Sequence, residues 1–190
     1  MFKKRISAFA IIALLLAAAG CASLIEEQGS TRPVPPEPPK EVKRATPAVG
    51  GYLGSFAADS FGDYTFEKKK TKEETTKKYK QFRGSLIRIE NASVVPSRLK
   101  AGEKAEIRMT YAVLGAAPRK DFTITETRDI RYKGKPFGKP IVYVSRGDGT
   151  YSSSIPITLP PDAKKGDYKV VLTVQSHKIK SSMETAFQVK

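Results

Sequence analysis

The sequence has few of the residues that usually build metal centres and nucleophilic active sites. It contains one cysteine, one histidine, three methionines and no tryptophan. A lone cysteine excludes a disulfide within the chain, so the fold must rest on an apolar core of Val, Ile, Leu, Phe and Tyr. The sequence also lacks a phosphate-binding glycine loop, a cluster with metal-ligand spacing and a nucleophile elbow. We therefore expect no catalytic residue, no metal and no cofactor.

The single histidine, His177, is predicted to lie in an exposed turn before the last strand. Ser176 precedes it directly, but neighbours on a hairpin do not have the geometry of a catalytic triad. Together with Met183, the histidine would supply only two ligands for a soft metal, which is weak support for a metal site.

The apolar run at the N-terminus is too short to cross a bilayer. Ile6–Ala19 has 14 residues, whereas a transmembrane helix needs about 20. The run follows three basic residues and ends in Ala18-Ala19-Gly20-Cys21. A basic segment, an apolar segment and a small-residue cleavage site are typical of a secretory signal peptide.

The sequence around Cys21 resembles the lipobox of bacterial lipoproteins, although Ala18 replaces the commoner leucine. The resemblance implies cleavage between Gly20 and Cys21 and a diacylglycerol on the cysteine sulfur. It also implies two or three acyl chains, since one alone binds a membrane only marginally. Because Ala22 and Ser23 are not the aspartate that retains lipoproteins in the inner membrane, the resemblance implies the outer membrane, with the protein facing the periplasm or the cell surface.

Acidic residues are in the minority. The chain has 34 Lys and Arg against 19 Asp and Glu, a formal net charge of +15. Such a balance often indicates nucleic-acid binding, but the export signal argues against that partner. The remaining anionic partners are an envelope glycan, a lipid headgroup or peptidoglycan. The alternative is that the charge only keeps the protein soluble.

Composition divides the chain into five parts. Six prolines between Thr31 and Pro47 favour an extended, semi-rigid spacer. The predicted parts are a signal peptide (1–20), a lipid-anchored proline-rich tether (21–47), a glycine-zipper-like segment (48–66), a charged basic connector (67–85) and a β domain (86–190).

Small residues recur every four positions in the glycine-zipper-like segment, at Gly50, Gly54, Ala58 and Gly62. On a helix they would form a smooth ridge against which a second helix packs closely. The segment resembles the short glycine zippers of some envelope lipoproteins. A flexible linker is the alternative, because glycine costs a helix about 1 kcal/mol relative to alanine.

Residues 67–85 hold eight basic and three acidic residues. They are interpreted as a solvated connector. A solvated helix, disorder or contact with an anionic surface remain open alternatives. Helices are expected only as short segments within residues 50–82.

From Leu86 onward, apolar and polar residues alternate in short runs between turn signals, which indicates antiparallel strands with one buried face. Residues 134–140 are interpreted as turns or a frayed edge. The predicted strands are approximately Leu86–Val95, Ala105–Leu114, Asp121–Tyr132, Ile141–Ser145, Tyr151–Leu159, Asp167–Gln175 and Ser181–Val189. Seven strands in this length predict an all-β fold, a seven-stranded immunoglobulin-like antiparallel β-sandwich.

The run LPPDAKKGDYKVVLTV resembles the corner between the fifth and sixth strands of immunoglobulin-like domains. There a tyrosine packs at the start of the strand and its hydroxyl bonds to the preceding loop, a position that Tyr168 occupies. The cysteine found two residues later in antibody domains is Val170 here. The resemblance is therefore to the disulfide-free modules of bacterial envelopes. The order of a lipobox, a short glycine-zipper segment and a C-terminal sandwich resembles that of a group of envelope lipoproteins. This resemblance implies no enzymatic reaction.

Glu126 shares the parity of Phe122 and Ile124, which places it on the inward face, where Arg128 or Arg131 would pair with it. The charged set Asp121, Glu126, Arg128, Asp129 and Arg131 favours a cross-strand salt-bridge ladder. General acid–base work would need two positioned carboxylates with separated pKa values. Tyr111, Tyr132, Tyr143 and Tyr151 are candidates for aromatic surface that binds a glycan or a protein, but some of them must belong to the core.

These features predict a non-enzymatic envelope lipoprotein whose sheet faces and edges contact a protein partner. The alternative function is binding of an anionic glycan, lipid headgroup or peptidoglycan through the basic surface. Nucleic acid is not an expected partner.

Overall fold

The computed structural model describes residues 43–45, 54, 56, 58–116 and 121–190. The predicted signal peptide, Cys21, Gly50 and most of the proline-rich tether lie outside the described residues. In the part of the chain that is described, no helix combines the length and the apolar character needed to cross a membrane.

Regular structure in the described residues is almost entirely β. The elements in chain order are β1 (Lys43–Ala45), a 3-10 turn (Ala58–Ser60), β2 (Tyr64–Lys70), α1 (Lys72–Lys78), β3 (Leu86–Val95), β4 (Arg98–Leu99), β5 (Lys104–Leu114), β6 (Phe122–Tyr132), β7 (Lys135–Gly138), β8 (Ile141–Arg146), β9 (Gly149–Thr158), β10 (Gly166–Ser176) and β11 (Ile179–Val189). The all-β prediction is confirmed.

The strands form two sheets. The first has the order β1-β2-β9-β5-β3, and the second has the order β4-β11-β10-β6, with β7 and β8 both pairing with the far side of β6. All pairs are antiparallel except β4 with β11. Inward residues of both sheets, such as Ile107, Ile155, Ile124 and Val170, share one core with no exposed surface.

All seven predicted strands are present, as β3, β5, β6, β8, β9, β10 and β11, with ends within two residues of the prediction. In most of them buried residues alternate with less buried ones, most regularly along β6, whereas β9 has no exposed residue. The alternation is visible in the sequence where one face of a strand packs on the core while the other meets water. The sheets nevertheless contain more strands than seven, and Lys135–Gly138 forms strand β7 rather than turns or a frayed edge.

The predicted connector over residues 67–85 is wrong, and so is the domain start at residue 86. Tyr64–Lys70 forms β2, which pairs with β9, and the Tyr64 side chain is fully buried. Tyr64 and Phe66 are the inward-facing residues of β2, and the lysines follow directly after Glu67. Two alternating apolar residues are too few to indicate a strand in the sequence. The run of lysines therefore dominates the composition of a strand that belongs to the sheet.

Helix α1 lies on the outer surface of the first sheet. It begins at a capping box, in which the Thr71 hydroxyl accepts from the Glu74 N–H and the Glu74 carboxylate accepts from the Thr71 N–H. Thr75 is fully buried, and its hydroxyl lies 3.0 Å from that of Thr150 on β9. This contact fixes a highly charged helix to the sheet.

The glycine-zipper helix is also wrong where the structure describes it. Gly54 has φ +62°, which is left-handed rather than helical, and only a three-residue 3-10 turn follows. The Gly62 N–H instead donates to the Pro156 carbonyl at 2.8 Å. A Cβ on Gly62 would lie 3.1 Å from the Pro156 side chain, so the small residue serves a close contact with β9.

Candidate functional site

Six polar and aromatic side chains form a hydrogen-bonded cluster between the two sheets. We call it the polar core, and its members are Tyr64 (β2), Tyr111 (β5), Glu126 and Arg128 (β6), Arg146 (β8) and Ser153 (β9). Five strands from both sheets therefore contribute to one network. None of these side chains is more than slightly exposed.

Glu126 is the acceptor at the centre of the polar core. Its Oε1 atom accepts from the hydroxyls of Tyr64 at 2.7 Å and Tyr111 at 2.6 Å. Its Oε2 atom accepts from Ser153 Oγ at 2.7 Å and Arg128 Nη2 at 3.2 Å. A buried carboxylate needs such partners, because the loss of water would otherwise make its charge very costly.

Arg146 forms the outer layer of the same network. Its Nη2 donates to the Tyr64 hydroxyl at 2.7 Å and its Nε donates to the Tyr111 hydroxyl at 3.3 Å. Its guanidinium carbon lies 3.7 Å from the centroid of the Phe66 ring, a cation–π contact. Each tyrosine therefore donates to Glu126 and accepts from Arg146.

Arg128 is fully buried and less completely bonded. Its Nη2 donates to Ser153 Oγ at 2.9 Å as well as to Glu126. Its Nε and Nη1 atoms have no hydrogen-bond partner among the described residues. The guanidinium carbon lies 5.9 Å from the centroid of the Tyr64 ring.

The surroundings keep both tyrosines protonated. Burial raises the pKa of Tyr64 and Tyr111 well above the usual value, and the nearby Glu126 charge raises it further, against the lowering effect of Arg146. Both hydroxyls therefore remain hydrogen-bond donors to Glu126. The Glu126 carboxylate is fully buried, and both of its oxygens accept hydrogen bonds. A general base must lie within hydrogen-bond reach of the substrate proton, and this enclosed carboxylate does not. The polar core ties the sheets together.

The sequence placed part of this network correctly. Glu126 faces inward and pairs with Arg128, as predicted. Arg131 pairs instead with Asp129 on the outer face, at 2.6 Å between Nη2 and Oδ2. That pair lies along one strand, so the predicted cross-strand ladder does not form there. The charged set is thus split between the core and the surface.

The remaining members of the polar core were not predicted. Arg146 is the last residue of β8. The sequence predicts the strand before it, but an arginine side chain does not by itself indicate burial. Of the four tyrosines that the sequence divides between surface and core, Tyr111 and Tyr151 are buried. Tyr143 is 58% exposed, and Tyr132 lies at intermediate depth.

Tyr168 is at the start of β10 and is fully buried. Its hydroxyl donates to the Lys164 carbonyl at 2.9 Å, and its ring stacks on Phe187 with a centroid separation of 5.0 Å. The hydrogen bond to the preceding loop is the one that the sequence predicted for a tyrosine corner.

His177 lies in the turn between β10 and β11, with an exposed side chain and φ +50°. Ser176 beside it is buried. Over residues 58–116 and 121–190, no group of three or more His, Cys, Asp or Glu side chains is placed to hold a metal ion.

Strand β8 forms an outer edge of the second sheet. It pairs with β6, and no other described strand pairs with it. Its sequence Ile-Val-Tyr-Val-Ser-Arg has no proline or lysine within it. Tyr143, with 58% of its surface exposed, is the most exposed large apolar side chain found among the described residues.

No protein-family model and no curated protein matches this sequence. Solved structures that match part of this chain include an alkylpurine DNA glycosylase from Pseudomonas fluorescens bound to DNA with an abasic site analog (15% identity, TM-score 0.40, covering 55% of this chain and 30% of that chain). Another is a family 123 glycoside hydrolase from Clostridium perfringens (10% identity, TM-score 0.42, covering 69% and 27%). A third is a CARDB domain from Pyrococcus furiosus in complex with di-metal ions (15% identity, TM-score 0.36, covering 58% and 90%).

This chain spans less than a third of the length of the first two structures. The three proteins differ in what they act on or bind, and at these values none of them assigns a function to this chain.

Proposed function

We propose that the protein is a lipid-anchored lipoprotein of the bacterial cell envelope, in the outer membrane. Its β-sandwich acts as a non-enzymatic interaction module that contacts an envelope protein through the edge of β8. The N-terminal sequence ending in Cys21 supports the anchor. The open edge of β8 is the observation that carries the contact.

The finer fold assignment, an immunoglobulin-like sandwich, is supported by strand order. In such domains strands A, B and E share one sheet, and G, F, C and C′ share the other. Here β3, β5 and β9 take the first set of places, while β11, β10, β6 and β8 take the second. Strand β2, which precedes them in the chain, occupies the place of strand D beside β9.

The edge of β8 differs from the other long edges of the sandwich. Native sheets protect their edges with proline, lysine, bulges or covering groups. On the β3 edge, the Ile89 N–H donates to the Ser181 hydroxyl at 3.0 Å. Strand β7, beside β8, contains Lys135 and Pro136. Within the described part of the chain, strand β8 has none of these features, and we propose that its edge accepts an added strand.

Strand addition supplies affinity through main-chain hydrogen bonds and specificity through alternate side chains. At β8 the side chains available on the outer face are Tyr143 and Ser145, which are exposed. A tyrosine gives a large contact area with little conformational freedom to lose. The proposed partner therefore presents an extended segment that pairs with β8 and packs a side chain against Tyr143.

Site-specific photocrosslinking in intact cells tests this contact. A photoreactive residue at Tyr143 should give a discrete crosslinked protein, and the same residue at Val95, which is exposed at the end of β3, should not. The crosslink should be lost when Val144→Pro is added, since proline disrupts the strand edge. Equal crosslinking from both positions, or none from Tyr143, would contradict the proposal.

The anchor is tested separately by metabolic labelling with a fatty acid. Cys21→Ser should abolish labelling and leave unprocessed precursor, whereas Ala22→Ser should change neither. Fractionation of the labelled protein should place it in the outer membrane. Labelling that persists in the Cys21 variant would overturn the lipoprotein assignment without affecting the result at β8.

A further inference from the structure

A pocket of about 360 Å³ opens at the end of the sandwich where the β6–β7 hairpin faces the loop between β9 and β10. We call it the basic aromatic pocket. It is lined by Tyr132, Lys133, Lys135, Pro136, Phe137, Asp162, Lys164 and Tyr168. Its volume lies within the usual range for small-molecule sites, roughly 300 to 1,000 Å³.

The floor of the pocket is aromatic. Tyr132 and Phe137, both of intermediate exposure, pack on the buried Tyr168 with ring centroids 4.8 and 5.0 Å from it. Phe137 also contacts the buried Phe56, at 5.1 Å between centroids. These rings belong to the continuous aromatic core, so the floor is held in place from below.

The two walls are joined by hydrogen bonds. The Tyr132 hydroxyl, from β6, donates to the Lys165 carbonyl at 3.0 Å, and the Tyr168 hydroxyl donates to the Lys164 carbonyl. Gly166 allows the close approach, because a Cβ there would lie 3.2 Å from the Tyr132 ring. The pocket is thus formed before any ligand arrives, which lowers the entropic cost of binding.

The rim is basic. Lys133, Lys135 and Lys164 are exposed, and none of them forms an ion pair with a described residue. Lys133 and Gly134 both have positive φ, +49° and +78°, and form the two-residue turn between Tyr132 and Lys135. The Lys133 ammonium at this turn lies 5.4 Å from the centroid of the Tyr132 ring, and Lys135 is the first residue of β7. Asp162 is the single acidic residue of the lining.

We infer that the basic aromatic pocket binds a sugar ring that carries a phosphate or carboxylate group. Lysine ammonium groups on the rim attract the anion. The partly exposed aromatic floor suits a ligand with one apolar face, which a pyranose ring presents through its C–H groups, while its hydroxyls remain at the solvent side. A ligand of charge alone would leave the aromatic floor unused, and a wholly apolar ligand would leave the rim lysines without an anionic partner.

This site goes beyond the proposed contact at β8 and does not depend on it. The pocket is at the β7 end of β6, near Tyr132, whereas β8 pairs with Phe122–Thr127. A sugar bound in the pocket and a strand added at β8 can therefore occupy the protein together. Failure of the crosslinking experiment would leave the pocket untouched, and failure of sugar binding would leave the β8 contact untouched.

Isothermal titration calorimetry on the purified full chain tests the inference. The probes are glucose 1-phosphate, glucuronate, glucose and inorganic phosphate. The two anionic sugars should bind at least about tenfold more tightly than either glucose or inorganic phosphate, since ring and charge both contribute. Equal affinity for inorganic phosphate would overturn the inference, as would equal affinity for glucose or no binding of the anionic sugars.

A matched pair of lysine variants locates the site. Lys133→Gln combined with Lys135→Gln should weaken binding of both anionic sugars at least about tenfold, because the rim loses two charges. Lys169→Gln removes an exposed lysine from the neighbouring strand β10, where it pairs with Glu184, and should leave affinity unchanged. An equal loss in both variants would show that only the overall charge matters and would overturn the site.

Discussion

The Tyr64 hydroxyl lies 2.7 Å from Glu126 Oε1, although the two residues are 62 positions apart and belong to opposite sheets. This contact joins a strand that precedes the predicted domain to the centre of the core. Tyr64 also accepts from Arg146, so it links the carboxylate to the outer guanidinium. The segment before residue 86 is therefore part of the folded unit.

Glu126→Gln should lower the free energy of unfolding by about 3 kcal/mol, the cost of breaking a buried ion pair. The variant keeps the shape of the side chain but removes the charge that Arg128 and Arg146 face. Urea denaturation measures the loss. Asp129→Asn, on the outer face of the same strand, should cost no more than about 0.5 kcal/mol. Similar losses in the two variants would show that the polar core contributes no more than a surface pair.

Stability should fall steeply at alkaline pH. Unfolded tyrosine ionises with a pKa of about 10, and the folded chain raises the pKa of Tyr64 and Tyr111 above that value, chiefly through burial. Below about pH 10 the two tyrosines are protonated in both the folded and the unfolded chain, so their full contribution to stability is present. Above it only the unfolded state loses protons, so each of these tyrosines removes about 1.4 kcal/mol per pH unit.

Urea midpoints between about pH 8 and pH 11 measure this alkaline loss. Tyr64→Phe should make the fall with pH shallower by the contribution of one tyrosine. Tyr143→Phe, at an exposed position on β8, should leave the slope as it is. An unchanged slope in the Tyr64 variant would mean that its hydroxyl ionises equally readily in the folded and unfolded chain.

Tyr168→Phe should destabilise the protein by about 1 kcal/mol or more, because the Lys164 carbonyl loses its donor while the ring packing is retained. Thermal melting of the variant beside Tyr143→Phe gives the comparison. A melting temperature equal to that of the parent protein would show that the hydrogen bond at this corner adds no net stability.

Gly149→Ala should destabilise the protein more than Gly102→Ala does. Both glycines have positive φ, +149° and +81°, and a side chain in such a conformation costs about 1 kcal/mol. A Cβ at Gly149 would also lie 2.8 Å from the Lys70 carbonyl oxygen, whereas Gly102 has open space around it. Chemical denaturation of the two variants compares backbone strain alone, at Gly102, with strain plus the steric conflict with β2, at Gly149. Equal losses of unfolding free energy would show that the conflict with β2 has no effect.

A fragment of residues 86–190 should not fold stably, whereas residues 54–190 should. The shorter fragment lacks β2, so β9 keeps only β5 of its two partners and Glu126 loses the Tyr64 hydroxyl inside the core. Circular dichroism and urea unfolding of the two fragments test this. A cooperative transition of equal midpoint in both would show that β2 is dispensable.

The sequence predicted the seven strands because alternation is a local pattern, and because glycine or proline follows most of them within two residues. It also placed Glu126 inward by parity. It did not predict β2, since an inward Tyr64 and Phe66 are followed by Lys68, Lys69 and Lys70, and composition outweighed alternation. Arg146 was missed for a different reason: its burial depends on two tyrosines and Phe66, which come from strands far away in the chain.

The pairing of β2 with β9 sets an order for folding. Thr65 pairs with Ser154, 89 residues later, and contacts between distant segments form late because the intervening chain must first be brought together. As the chain emerges N-terminus first, β2 has no described partner in the sheet except the short strand β1 until β9 has been made. The polar core cannot close before then. Strand β2 therefore joins β9 only after most of the domain has been made, and its lysines keep it soluble in the meantime.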